Sequence, residues 1–294
     1  LLMFREGLKY IHEISTAPQH YPRELTKWFK KNMGTDMDLN DPKTFNEKIQ
    51  WLKLNYKNPL ITTLSDKFLV RDWIKDKIGE EYLVPLLGVY DKFSEIDFSS
   101  LPSRFVLKTN HGSSWNIIVS DRTKLNLPLA RLKFFIWLHL NFAYAKGYQL
   151  HYAPIKPKIL VEKYLENENG MLRDYKVLVF GGKAKYIWVD SDRFADHRRN
   201  VYNLDWTPVP FTIGMPELPG GVKKPLYLAK MTELAETLGK GFPLVRGDFY
   251  ETEERLYFGE ITFTTGSGID KVEPPEYDRY LGDMIELPDT PDIV

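Results

Sequence analysis

Apolar positions along this chain recur with two different periods, and the change from one to the other divides it. Up to about residue 100 they return every three or four residues, as on a half-buried helix. Thr44-Phe45-Asn46-Glu47 reads as a capping box, in which the Thr hydroxyl and the Glu carboxylate each take an amide of the other's turn. It opens a helix carrying Ile49, Trp51 and Leu52. A second helix is predicted from about residue 66 to 77, with Phe68, Leu69, Trp73 and Ile74 inward and Lys67, Arg71 and Lys75 on the other face.

Beyond residue 100 the period shortens. Residues 104–108 predict a strand, 109–114 a polar turn and 116–120 a returning strand. A helix is expected over 128–145 and a buried strand over 157–165. Residues 174–180 and 185–190 flank Gly181-Gly182, a two-residue hairpin signal. Residues 191–222 are polar and proline-rich and read as loop. Pro225 opens a helix with Leu228, Met231, Leu234, Ala235 and Leu238 on one face, closed near Gly239 or Gly241. A last hairpin, 244–250 with 256–263, precedes an irregular tail. This order predicts an α+β protein with antiparallel hairpins and not a doubly wound sheet.

Composition narrows the picture. At 294 residues the chain is one large or two modest domains. Forty basic against forty acidic residues give no global charge argument for nucleic acid as a partner. With no cysteine, disulfide scaffolds, cysteine zinc sites and thiol catalysis fall away, and a cytoplasmic location is expected. No apolar run reaches the ~18 residues of a membrane span. The longest, 134–145, is interrupted by His139 and Asn141 and reads as a buried or interfacial helix.

Three clusters carry candidate chemistry. Pairing the last hairpin about Glu254 sets Asp248 opposite Glu260 and Arg246 opposite Thr262, all four on one face. Facing carboxylates repel. A divalent cation with hard oxygen ligands, such as magnesium, removes the repulsion, and so does a neighbouring Arg; both readings stay open. Lys108-x-x-x-Gly112-Ser113-Ser114 follows a strand, and its small residues would let amides approach a phosphate. It is not the Walker order, whose Lys follows the glycines. The third cluster runs from Asp190-Ser191-Asp192-Arg193 to His197-Arg198-Arg199, either a charged surface loop or a set of cations closing over an anion. Neither His111 nor His197 has zinc spacing, and no Gly-x-Ser-x-Gly elbow occurs.

Taken in order, these pieces resemble the ATP-grasp superfamily, and within it the branch named for the teichuronopeptide protein TupA. Several motifs are similar to those of D-alanine–D-alanine ligase. Asp66-Lys67 resembles the early Asp-Lys whose lysine reaches the ATP phosphates, and Lys108 with Gly112, Ser113 and Ser114 resembles the second lysine and its phosphate loop. Glu162-Lys163-Tyr164-Leu165 is similar to the hinge that holds adenine. Asp174 falls near the residue that takes the ribose hydroxyls, beyond an insertion at 167–170, and Lys176 joins the nucleotide set. Arg246-x-Asp248 and Glu260-x-Thr262 resemble the closing signature, with Thr262 where most members carry Asn. The branch is implied by residues 193–206, with Asn200-x-Tyr202 and Trp206.

The resemblance implies an ATP-grasp fold of two α+β parts, 65–163 and 164–294, behind a helical region, 1–64. It implies ATP and Mg2+ as cofactors, Asp248, Glu260 and Thr262 at the metal, and Arg246 and Lys108 as catalytic residues. The implied reaction joins a small-molecule carboxylate, of the uronic-acid type found in capsule or cell-wall glycans, to an amine. A sugar kinase and a glycosyltransferase are the alternatives. A nucleotide-binding scaffold without activity is disfavoured by intact Lys67, Lys108, Asp248 and Glu260.

Overall fold

In the computed structural model, residues 10–166, 172–191 and 197–289 are described, so the insertion at 167–170 and the pair Asp192 and Arg193 lie outside the described residues. The chain begins with helices, among them α1 (Tyr21–Met33), α2 (Phe45–Asn55), α3 (Pro59–Ser65) and α4 (Val70–Lys77). The capping box at α2 forms as the sequence predicts, with Thr44 N–H donating to Glu47 Oε2 at 2.9 Å and Glu47 N–H to Thr44 Oγ1 at 3.3 Å.

A four-stranded antiparallel sheet follows, in the order β1 (Leu86–Tyr90), β4 (Ile159–Lys163), β2 (Phe105–Thr109) and β3 (Asn116–Val119). Between β3 and β4 lie α5 (Leu127–His139) and the single turn α6 (Phe142–Ala145). Phe105, Leu107, Val119, Ile159 and Val161 of this sheet close on Phe134 of α5.

The second sheet comprises β5 (Arg173–Phe180), β6 (Lys183–Ser191) and β7 (Arg198–Asn203), followed after β8 (Thr212–Ile213) and α7 (Leu228–Gly239) by β9 (Leu244–Glu251) and β10 (Leu256–Thr262). Its order is β10-β9-β5-β6-β7. Period-two alternation gives it two faces. One carries Tyr175, Val177, Val179, Ile187 and Phe249 and is covered by Met231, Leu234, Ala235 and Leu238 of α7. On the other, Leu178, Phe180 and Trp188 meet Phe45, Ile49 and Leu52 of α2. Residues nearer the opposite end of that second face are polar, and there the candidate site lies. A short pair of β8 with β11 (Val272–Glu273) and the helix α8 (Glu276–Asp283) complete the described chain.

Four local expectations change. The helix expected over 66–77 starts at Val70, because Asp66 Oδ1 accepts the amides of Phe68 and Leu69 and holds Lys67 on the preceding turn. The helix expected over 128–145 stops at His139; Asn141 accepts the Ala143 amide and starts α6 as a separate turn. The segment read as loop, 191–222, contains β7 and β8. The irregular tail contains α8, anchored where Asn46 Nδ2 donates to Asp278 Oδ1 at 3.1 Å.

Candidate active site

The hairpin of β9 and β10 sets the centre of the site. Pairing begins with Leu256 opposite Glu251 and Phe258 opposite Phe249, then shifts by one residue at Gly259. Glu260 therefore faces Asp248, and Thr262 faces Arg246, as the sequence predicts. The bulge produces this alignment, since an unshifted register would set Asp248 against Gly259. A Cβ on Gly259 would lie 3.1 Å from Cε2 of Tyr250 and 3.2 Å from the Asp248 carbonyl oxygen.

The facing carboxylates are neutralised by cations of the chain itself. Arg246 donates from Nε and Nη2 to the two oxygens of Asp248, each at 2.7 Å. Its Nη2 also reaches Glu260 Oε1 and Thr262 Oγ1, both at 3.1 Å, and Nη1 donates to Thr265 Oγ1 at 3.0 Å. From β5, Lys176 Nζ donates to Asp248 Oδ2 at 2.9 Å and to Asp174 Oδ2. Burial pushes the Asp248 carboxyl above the usual carboxylate range, against the pull of Arg246 and Lys176. Glu260 moves the other way: burial is outweighed by Lys67, Arg246, Lys176 and Lys108, which hold it well below that range. For Arg246, burial works against the charge, but Asp248 and Glu260 outweigh it and raise its pKa.

The other cations come from the first sheet, which carries Lys108, and from α4 and the turn before it, which carry Arg71 and Lys67. Lys67 N–H donates to the Asn110 carbonyl at 3.0 Å, and its Nζ donates to the Gly112 carbonyl at 2.8 Å while lying 3.4 Å from Glu260 Oε2. It thus ties the 109–114 loop to β10. Lys108 Nζ is 2.6 Å from Glu162 Oε2, and Arg71 Nη1 is 3.8 Å from Glu162 Oε1. A Cβ on Gly112 would fall 2.3 Å from the Trp115 ring, so the loop has room for glycine alone there. Ser113 and Ser114 are exposed, with Ser114 at φ 63°. His111 behind them is buried, which lowers its pKa, and its Nε2 donates to the Trp137 carbonyl at 3.1 Å.

The structure brings Lys67, Lys108, Glu162, Asp174, Lys176, Arg246, Asp248, Glu260 and Thr262 around half-buried Tyr250. Burial raises that phenol's pKa, and Asp174, Glu260, Asp248 and Glu162 raise it further. Lys163, Tyr164 and Leu165 continue from the end of β4; the Lys163 amide donates to the Pro85 carbonyl at 2.9 Å, and Arg104 lies 5.4 Å over the Tyr164 ring.

Sequence reasoning missed Arg71 and Thr265 as partners of the site; of the third cluster it named, Asp190, His197 and Arg199 lie together beside the site. Arg199 of β7 donates to Asp190 at 2.7 Å and Asp270 at 2.9 Å, with its guanidinium 4.4 Å over the Trp188 ring. His197 Nε2 is 3.3 Å from Asp190.

Among the described residues no group of three or more His, Cys, Asp or Glu could hold a metal ion. Asp248, Glu260 and Thr262 do offer two carboxylates and a hydroxyl on one sheet face. Such hard oxygens suit magnesium, which usually keeps waters or phosphate oxygens in its remaining positions.

A model of the TupA-like ATP-grasp family matches residues 47–286. No curated protein matches the chain. Among solved structures, D-alanine–D-alanine ligase from Bacillus anthracis complexed with ATP is 15% identical, with a TM-score of 0.45, over 76% of this chain and 65% of that one. The match therefore spans less than two thirds of that ligase. The corresponding ligase from Helicobacter pylori is 16% identical, with a TM-score of 0.42, over 78% and 60%. L-amino acid ligase from Bacillus licheniformis is 14% identical, with a TM-score of 0.42, over 72% and 44%.

Proposed function

The chain belongs to the TupA-like ATP-grasp family, and we propose that it is an ATP- and magnesium-dependent ligase that joins a carboxylate to an amine through an acyl phosphate. Its α+β architecture is the ATP-grasp fold. The observation that carries the proposal is the convergence of Lys67, Lys108, Lys176 and Arg246 with Glu162, Asp248 and Glu260, drawn from both sheets and the turn before α4.

In this reading Lys67 and Lys108 bind the ATP phosphates, and the 109–114 loop with Gly112, Ser113 and Ser114 covers them. Glu162 to Leu165 hold adenine, Asp174 the ribose, and Asp248, Glu260 and Thr262 the magnesium. When bound, magnesium supplies positive charge to the phosphates during transfer. The substrate carboxylate oxygen attacks the γ-phosphorus and ADP leaves. The amine nitrogen then attacks the acyl carbon, and phosphate leaves as the amine loses its proton. Arg246, already fixed by Asp248 and Thr265, is oriented to donate to the developing oxyanion, a contribution of about 2.7–4 kcal/mol for one such donor.

We assign the carboxylate to a sugar acid of surface-polysaccharide assembly, on the resemblance of residues 193–206 and of the branch as a whole. Incubation with ATP, candidate uronic acids and amines tests the reading. ADP and phosphate released only when both acid and amine are present support it. ADP with a phosphorylated sugar indicates a kinase, and UDP released from a sugar donor indicates glycosyl transfer.

A further inference from the structure

Helix α5 buries little of its apolar surface. Ala130 and Phe134 pack inward, while Leu129 is 48% exposed, Leu132 55%, Phe135 60% and Ile136 41%. At about 100° per residue, these four exposed side chains span an arc of roughly 120°. Arg131 and Lys133, both exposed, stand about 40° beyond its two edges, one on each side. The apolar surface continues onto the edge strand β3, where Ile118 is exposed across a groove of about 230 Å³ that Leu125, Leu129 and Lys133 also line.

The charge pattern around this face is mainly basic, with Asp121 the one acidic residue lining the groove beside Lys124 and Lys133. The whole chain balances forty basic against forty acidic residues, yet no Asp or Glu occurs between Asp121 and Glu162, a stretch with seven Lys and Arg. A continuous exposed apolar patch marks an interaction surface. An apolar arc bordered by cations on both sides is the pattern of a helix lying in a lipid interface, where long basic side chains reach the headgroups.

We propose that α5 and the neighbouring edge of β3 form a docking surface for an anionic lipid bilayer. The helix lies in the membrane plane: its 13 residues span only about 20 Å, and no helix among the described residues is long and apolar enough to cross a membrane. A symmetric contact with a second copy fits less well, because it would bring the like charges of Arg131, Lys133 and Lys124 together with Asp121 as the one acidic residue lining the groove. The surface is preformed, since the carbonyls of Trp137 and Leu140 at the end of α5 are held by His111.

Sedimentation of the full chain with vesicles tests this, using phosphatidylcholine alone and phosphatidylcholine mixed with phosphatidylglycerol. Wild type should bind the mixed vesicles much more strongly than the neutral ones, and less as salt is raised. Replacing both cations, Arg131→Gln with Lys133→Gln, should weaken binding to the mixed vesicles by about thirtyfold. The pair Leu132→Ser with Phe135→Ser should weaken it by roughly tenfold or more, with an unchanged melting temperature because both side chains are exposed. Equal binding to the two vesicle types, or no binding, overturns the proposal. So does a dimer in sedimentation velocity that the apolar double variant dissolves while vesicle binding is absent.

Discussion

Lys176→Met tests whether the site is held together by its own charges before any ligand arrives. The side chain is 3% exposed and donates to Asp174 and Asp248, with Asp190 3.9 Å away. Met fills nearly the same volume, so the change removes charge and little packing. Counted together, Lys67, Lys176 and Arg246 balance Asp174, Asp248 and Glu260, and the variant leaves one negative charge in excess in a buried place. Breaking a buried ion pair from one side costs about 3–5 kcal/mol. At roughly 2–4 °C per kcal/mol for a large domain, the melting temperature should fall by roughly 6–20 °C. The loss should also depend on pH with a fixed sign. In the variant the folded-state pKa of Asp248 lies higher than in wild type, because the pull of Lys176 is gone, so its deficit grows as pH rises through it and shrinks in acid. Urea unfolding of both proteins at neutral and acidic pH measures this. A variant as stable as wild type at neutral pH, or a deficit that grows in acid, refutes the charge balance described here.

Lys67→Met should lower ATP-dependent turnover by roughly a hundredfold, as expected for loss of one electrostatic contact to a transferring group, while stability changes by about 1 kcal/mol or less, because Glu260 is partly exposed. Steady-state kinetics and thermal melts on the same preparation separate the two effects. His151, with no hydrogen-bond partner for Nε2, is pushed down to about 3 by burial and by the charge of Lys53. Its unfolded-state pKa is about 6.5, so the unfolded chain takes up a proton first, and stability falls as pH drops from there towards 3. His151→Gln should flatten that decline by up to about 1.4 kcal/mol per pH unit, read from urea midpoints across the range. Gly259→Ala should destabilise by roughly 1–3 kcal/mol, because its Cβ meets Tyr250 and the Asp248 carbonyl. An unchanged urea midpoint would mean that the bulge is not under the constraint described.

The centre of the site was legible because its spacing is local. Asp248 and Glu260 are twelve positions apart on one hairpin, and glycine inside a strand is a bulge signal, so Gly259 marks the shift that aligns them. The neighbouring hairpin has no such mark. A plain two-residue count across Gly181-Gly182 sets Asp174 opposite Val189; a register shift between Leu178 and Val179 sets it opposite Asp190. So the strand read over 185–190 included Asp190 without setting it against Asp174. Strand β7 was hidden for a related reason. Arg198-Arg199-Asn200 has the composition of a loop, and Arg199 is tolerated inside only because Asp190, Asp270 and the Trp188 ring surround it. Lys67 was assigned to a helix because the apolar period runs through it. The Asp66 carboxylate took two amides first and delayed the helix to Val70.

Oxygen transfer from the acid tests the central claim most directly. With the substrate carboxylate labelled with oxygen-18, attack on the γ-phosphorus carries one labelled oxygen into phosphate at each turnover. The account predicts label in the released phosphate at one atom per amide formed, dependent on both ATP and the amine. Phosphate released without label, or label retained in a phosphorylated sugar, would contradict an acyl-phosphate ligase.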